Sequence, residues 1–453
     1  MMETLLHGSI GYDIIERLRM RKTMELTRKT DPQIFDAFAT KQDSIHYSKL
    51  SFWGEFESTN GYDAEYWSFK EEQEIVATLV LLKKKSIFGT FWYIPNGPAM
   101  DVFDQDLTEK VLTMIKDEAL KDGAMFVRID SNIPRLQHDN KGDVVESGFN
   151  NEFVTGYYEK AGFKHTGYNY GYSGYLFSRF TYVLDLEKEF DQLVEQIAMN
   201  VRNLYKKNLR RGVSVHDAGR DDLHYLVKYG KELSDKLEFK PKSLSFFQRL
   251  YDLAKEHAVY RLCVADLSVA KENIQTERTT LYASIAKVEA NPRKAGFVKE
   301  VRRQIEDLDK EERDLDELIR KNGNNIVLGA ALYLLAGDRS YNIYTYTNKE
   351  FPSFHATISF HVETIKAFRE KGIRHYDFVG VSGSLDPKDP YFGLQDFKRK
   401  FGGDFVENLG EFYFKPKPKQ ARLYDRTMVY RRKFERKSYS IFVKLKRKRR
   451  AVQ

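Results

Sequence analysis

A single cysteine, Cys263, stands in 453 residues, so no internal disulfide can form, which suits a reducing cytoplasm. Long apolar runs are missing too: no window nears the roughly 18 residues that a membrane span needs. The best candidate, IVLGAALYLLAG (326–337), is short and alternates as a buried strand does. The opening MMETLLHGSIGYDIIERLRMRKTM carries acids and no clean apolar centre, unlike a secretory signal. HExxH, paired CxxC and clustered histidines are all lacking, which speaks against a catalytic or structural metal. So are the GxSxG elbow, the P-loop and the GxGxxG fingerprint. Cys263 lies in YRLCVAD, a stretch that reads as a buried strand with no base beside it, and makes a poor nucleophile. His355, His361 and His375, on or beside a helix, read as structural. Any chemistry must then use a substrate that is already reactive, positioned and polarised by the protein.

What is present begins with size. A chain of 453 residues exceeds one ordinary core, so two or more domains are expected. The net charge of +8 gathers at one end: from Arg422 onward there are 13 Lys/Arg against 2 Asp/Glu, leaving 61 against 64 elsewhere. The run ending KLKRKRRAVQ can be a solvated terminus, or can be drawn to a phosphate-rich surface, RNA or an anionic inner leaflet. Tyr424, Tyr430, Phe434, Tyr439, Ile441 and Phe442, interspersed there, favour a membrane-facing segment.

Strand and helix patterns alternate from Met24. Residues 74–101, EIVATLVLLKKKSIFGTFWYIPNGPAMD, read as two strands joined by a basic turn and closed by a Pro-Asn-Gly-Pro loop. DLTEKVLTMIKDEALKDG follows as an amphipathic helix with Val111, Leu112, Ile115, Ala119 and Leu120 on one face. AMFVRID is the next strand, and YYEKAGFKHTG reads as helix end, glycine turn and strand. The pattern then restarts with RFTYVLDL and one long helix, EKEFDQLVEQIAMNVRNLYKKNLRRG, with Asp185 as its cap. ALYLLAG, YNIYTYTN, the helix through SFHVETIKAFREKG and the strand HYDFVGV repeat the order, so two similar α/β units are expected. Inside the second, Leu267, Ile274, Leu281 and Val288 recur every seven residues, and Val298, Ile305 and Ile319 with Val301, Leu308 and Leu315 resume after NPRKAG, Glu312 taking one apolar place. This spacing predicts an antiparallel coiled-coil hairpin with legs of about 25 residues, each roughly 35–40 Å long. Such an arm serves interaction or dimerisation, or grips a tRNA.

Residues 391–405, YFGLQDFKRKFGGDF, combine four phenylalanines, three adjacent cations and three glycines. Loops seldom hold so many phenylalanines and strands seldom hold three neighbouring cations. One face is expected to pack while the other offers charge. YYEKAGFKHTG resembles the closing elements of GNAT acyltransferases, yet no Gly-rich coenzyme A loop precedes a helix. More specifically, WYIPNGPAMD, RFTYVLDL, NVRNLYKKNLRRGV, the arm and YDFVGVSGSLDPKDPYFGLQDFKRKFGGDFVENLGEFYF resemble the FemABX family of peptidoglycan-branching aminoacyltransferases, over roughly residues 24–440. The arm and tail are more similar to the MurM and FemA types than to the shorter FemX type.

The resemblance implies an α/β chain of two GNAT-like acyltransferase domains: 24–178 completed by about 408–440, and 179–407 with the arm at 266–322. An extension (1–23) and a basic tail (441–453) flank them. It implies transfer of an amino acid (serine, alanine or glycine) from aminoacyl-tRNA to the stem-peptide amine of a peptidoglycan precursor, with no cofactor beyond the tRNA co-substrate. Lys398 would hold the tRNA's 3′ end and favour the oxyanion, with Arg399 and Lys400 beside it toward tRNA. Phe397 and Phe401 would fix the backbone there while Gly402 and Gly403 let it turn. Arg202, with Lys206, would hold the precursor's phosphate or peptide end. Tyr344 or Tyr346 would contact substrate, and so would the loop with Tyr93, Asn96 and Gly97. Where FemX-type enzymes carry a lysine four residues after the tryptophan, this chain has Glu57, which favours a lipid-linked acceptor such as lipid II over a nucleotide-linked one. The expected place of work is the cytoplasmic face of the membrane, touched through the basic tail. Two other readings are a CoA-dependent N-acyltransferase and a non-catalytic RNA- or membrane-binding adaptor.

Overall fold

In the strand Glu74–Ser86, Leu79 and Leu81 enter one apolar core while Val80 and Leu82 enter another, because a pleated chain alternates its side chains. Trp92 and Ile94 against Phe91 and Tyr93 divide in the same way on the next strand. A sheet buried on both faces needs helices on both, and it has them. Helices Gln105–Lys121 and Phe153–Lys160 cover one side, while Pro32–Ala39 and the start of Pro418–Val452 cover the other. This is a mixed α/β architecture, seen in a computed structural model that describes residues 24–43, 45–172, 177–237 and 240–452. The expected extension over 1–23, and the side chains of Phe442 and the terminal basic run, lie outside the described residues.

The chain divides into two units. The first holds residues up to Thr181 with Gly380–Tyr391 and Val406–Val429. Its strands lie in the order Met24–Thr27, Asp63–Glu71, Glu74–Ser86, Gly89–Ile94, Val127–Gln137, then the strand Asp404–Phe414 from Val406 onward. All these neighbours are antiparallel except Gly89–Ile94 with Val127–Gln137, a parallel pair linked by the crossover helix Gln105–Lys121. Two local expectations need correction. The hairpin turn is Ile87–Phe88, and its lysines belong to the strand, where Lys83 pairs with Glu65 and Asp122. Leu120 is 52% exposed, because it stands about 100° of arc past Ala119 and off the buried stripe.

The second unit holds Tyr182–Val379, Phe392–Phe405 and Tyr430 onward. Its sheet runs Phe180–Asp185 (from Tyr182), His375–Asp377, Arg339–Thr347, Asn325–Ala336, Ala258–Asp266, Val213–Asp217. Again one pair is parallel, Arg339–Thr347 with His375–Asp377, through the crossover helix Ala356–Glu370. Both units therefore repeat hairpins, crossover and parallel return. The single helix expected after Asp185 is two, Phe190–Gln196 and Met199–Arg210. Ile197 is buried in an extended conformation between them, and the Ala198 N–H leaves the helix pattern to donate to the Lys400 carbonyl at 2.8 Å. Glu189, not Asp185, stands at the N-cap.

The arm is two helices, Leu267–Ala286 and Ala295–Asn322, joined through Pro292. At 1.5 Å per residue they are about 30 and 42 Å long, unequal where the spacing predicts equal legs. The first ends before Val288, so that residue leaves the helical seam. Ile285, Val301 and Ile305 form a buried core with Leu281 and Val298 against it. At Glu312, where the heptad lacks an apolar residue, Arg278 of the facing helix pairs with it at 2.6 Å and with Asp309 at 2.9 Å. The C-terminal helix, Pro418–Val452, runs 35 residues, so the basic terminus is helical rather than irregular.

Arg278→Ala leaves the Glu312 carboxylate in the seam without this partner. Amide exchange across residues 305–316 is expected to quicken in that variant and to recover in Arg278→Leu/Glu312→Leu. Equal exchange in wild type and Arg278→Ala would show the pair to be idle.

Candidate active site

Parallel pairing stops at a corresponding point in each unit. In the first, the last paired residues are Ile94 and Ile129, after which the chain enters the Pro95–Pro98 turn on one strand and reaches Asp130 on the other. In the second, they are Tyr341 and Asp377, followed by Phe378 and Val379. Near each of these points stands one conspicuous ionisable group.

In the second unit that group is Lys398, on the helix Phe392–Arg399. Its Nζ donates to the Val379 carbonyl at 2.6 Å. Phe397, Phe401, Phe378 and His361 pack into an aromatic corner there, with Phe397 and Phe401 centroids 5.2 Å apart and His361 4.9 Å from Phe401. Burial pushes the ammonium down to about 8, against the opposing pull of Asp377. Burial, and then the Lys398 charge, drive His361 down to about 3, so it stays neutral, its Nδ1 2.7 Å from the Tyr376 hydroxyl. Val379 has φ +57°, rare for a β-branched residue, at a cost of about 1–3 kcal/mol. Its N–H donates to Asp377 Oδ1 at 2.6 Å, which holds that conformation and turns the carbonyl toward Lys398.

The glycines answer to geometry. Gly402 has φ +88°, and a Cβ there would stand 2.7 Å from Gln196 Cβ. A Cβ on Gly403 would stand 2.8 Å from the Val183 carbonyl oxygen. Phe401 is fully buried. Arg399 and Lys400 both pair with Asp396, at 2.6 and 2.7 Å, and these contacts, that of Lys400 first, lower the Asp396 pKa despite its partial burial. Their charge is partly neutralised by that carboxylate.

The remaining expected residues of this unit lie on other elements. Arg202 and Lys206 are on helix Met199–Arg210, whose start is tied to Lys400 through the Ala198 N–H. Lys206 is exposed, whereas Arg202 Nε is buried with no hydrogen-bond partner among the described residues. Tyr344 packs edge-on to Phe247 at 5.2 Å, and Tyr346 closes on Gly230, where an added Cβ would meet its ring at 3.0 Å. Burial raises the Tyr346 phenol to about 12.

In the first unit, Tyr93 is fully buried and its hydroxyl donates to Asp130 Oδ2. Asn96 adopts φ +58° and its amide donates to Ser48 Oγ at 2.9 Å, while Gly97 at φ +74° backs onto Asp130 O and the Tyr158 hydroxyl. Glu57 is buried on the helix Ser51–Thr59. Asp130 was not among the residues singled out from the sequence, though an acid inside the apolar strand AMFVRID was the available signal. Burial, then the Glu411 charge, raises its pKa despite the Tyr93 contact and Arg128. Its Oδ1 and Arg179 Nη2 are buried without a hydrogen-bond partner among the described residues. Both residues line a cavity of about 130 Å³ with Asn96, Ser131, Thr166 and Glu411. A poorly hydrated ammonium can steady a developing oxyanion, whereas a carboxyl of raised pKa is held toward its protonated form. Cys263 is buried and its thiol pushed up, which leaves it inert, and no metal-binding cluster occurs among the described residues.

A lysine whose folded pKa falls below its ordinary 10.5 carries a burial cost that is full below about pH 8 and relieved as pH climbs toward 10.5. Wild type should therefore gain stability relative to Lys398→Met across that window in chemical unfolding, and a flat difference would mean an exposed ammonium. Gly402→Ala should lower the unfolding free energy by about 2 kcal/mol or more, from left-handed backbone and overlap with Gln196, read as an earlier urea transition.

Comparison with known proteins agrees with this architecture. The chain is 27% identical over 394 residues to a "Lipid II:glycine glycyltransferase" of Staphylococcus aureus strain MRSA252, covering 84% of this chain and 90% of that protein. A protein of the same name from strain Mu50 is 26% identical over the same length. The solved structure titled "Crystal structure of FemX" superposes with a TM-score of 0.76 at 24% identity, over 88% of this chain and 99% of that one, which shows a shared fold. Residues 30–427 match the FemAB family, and the chain belongs to it.

Proposed function

We propose that the chain transfers an amino acid from aminoacyl-tRNA to the stem-peptide side-chain amine of lipid II, building an interpeptide bridge. Support comes from the family membership, from relatives named for glycyl transfer to lipid II, and above all from the Lys398 corner. The donor ester is reactive already, so no protein nucleophile is needed. The amine nitrogen attacks the ester carbonyl, and the carbonyl oxygen takes the electron pair. The C–O bond to the ribose then breaks as the amide forms, the ribose hydroxyl leaving with a proton. Lys398 as ammonium steadies the oxyanion, and at pH 7, below its value of about 8, the charged form prevails. The proton that the attacking amine sheds is matched by the one that the departing ribose hydroxyl takes up. Arg202 and Lys206, with Tyr344, Tyr346, Tyr93, Asn96 and Gly97, are the proposed acceptor contacts. Arg399 and Lys400 join Lys398 toward the tRNA. No coenzyme enters this scheme, and the work is placed at the cytoplasmic face of the membrane.

Purified protein offered glycyl-, alanyl- and seryl-tRNA with lipid II should yield a product heavier by one residue, glycine first among them. Lys398→Met should slow single-turnover transfer about 10²-fold or more with binding of tRNA largely kept. The wild-type rate should fall above about pH 8, and Lys398→Arg should not show that limb. Transfer from acetyl-CoA instead, or a Lys398→Met variant at wild-type speed, would sink the proposal.

A further inference from the structure

The helix Pro418–Val452 has two apolar faces where its packing accounts for one. Ala421 and Tyr424 are buried and Met428 packs with them against the first unit's core, while Tyr439 reaches Asp235 and Val443 is buried in the second. At 100° per residue these five fall within about 100° of arc. Leu423, Tyr430, Phe434 and Ile441 fall within about 40° of arc on the opposite side. They are 49%, 73%, 72% and 51% exposed, so the stripe is largely uncovered among the described residues. It extends over about 27 Å of helix. Exposed Arg422, Arg426, Lys433 and Lys437 flank one side of it, and Arg431, paired with Glu435 at 2.8 Å, flanks the other.

We infer that this stripe is an interfacial membrane helix, lying along an anionic bilayer with Tyr430 and Phe434 at headgroup depth and the cations on lipid phosphates. Two features choose this occupant. The helix carries 14 Lys/Arg and only Asp425 and Glu435 as acids, a charge balance that matches an anionic surface. Leu423 and Ile441 add aliphatic surface at the two ends of the stripe, which RNA phosphates and bases do not bury but acyl chains do. The inference does not need the proposed reaction, since neither face of the helix includes a residue assigned to transfer.

The test uses the full chain and vesicles free of any peptidoglycan precursor. The protein should co-float with phosphatidylglycerol vesicles and much less with phosphatidylcholine ones. Leu423→Ser/Tyr430→Ser/Phe434→Ser/Ile441→Ser should lower the partition coefficient about tenfold or more, while transfer to a soluble acceptor analogue stays at the wild-type rate. Tyr430→Trp, which keeps an aromatic ring in place, should show a blue-shifted emission on phosphatidylglycerol vesicles. Undiminished flotation of the serine variant, or an unshifted tryptophan, would reduce the contact to bare charge and overturn the inference. So would a stripe-dependent dimer in solution, or tryptophan burial on RNA but not on lipid.

Discussion

An ammonium drawn out of water must be met by oriented oxygen, and in the second unit that oxygen is the Val379 carbonyl. Much of the surrounding structure follows from this contact. Val379 must sit in a backbone conformation unfavourable to its branched side chain, held there by Asp377. His361 must remain neutral, or a second cation would stand against the first. Gly402 and Gly403 must lack side chains, because Gln196 and Val183 occupy the space. Each is unfavourable or restrictive alone, and together they hold one charge in an aromatic setting where its field is little screened.

The repeat sets a different ionisable group near the corresponding point of each unit. Burial acts on both in the direction of neutrality: it lowers the pKa of Lys398 and raises that of Asp130. Lys398 still keeps its charge at neutral pH, whereas the Asp130 carboxyl is drawn toward its protonated form. A similar strand order thus surrounds a cation in one unit and an acid in the other.

Legibility in the sequence tracked periodicity. The seven-residue spacing of the arm and the strand–helix–strand order of both units can be read directly, since apolar periods report local geometry. The break at Ile197 cannot, because it is imposed by a hydrogen bond from Ala198 to Lys400, two hundred residues away. Nor does sequence separate Lys398 from its neighbours by charge alone: only the structure shows that Arg399 and Lys400 share Asp396. Lys398 stood out through family resemblance and the density of phenylalanine around it. Asp130 escaped because one acid in a strand leaves no periodic trace, and its meaning lies in burial.

The Arg278–Glu312 pair gives the arm a property its apolar seam would lack. An apolar seam tolerates displacement, whereas facing charges favour the register that pairs them, and Lys271 with Asp316 and Arg302 with Glu289 act in the same sense. Registry is therefore held at several rungs. The hairpin's tip stands at a set distance from its root, so the arm can act as a ruler rather than a tether.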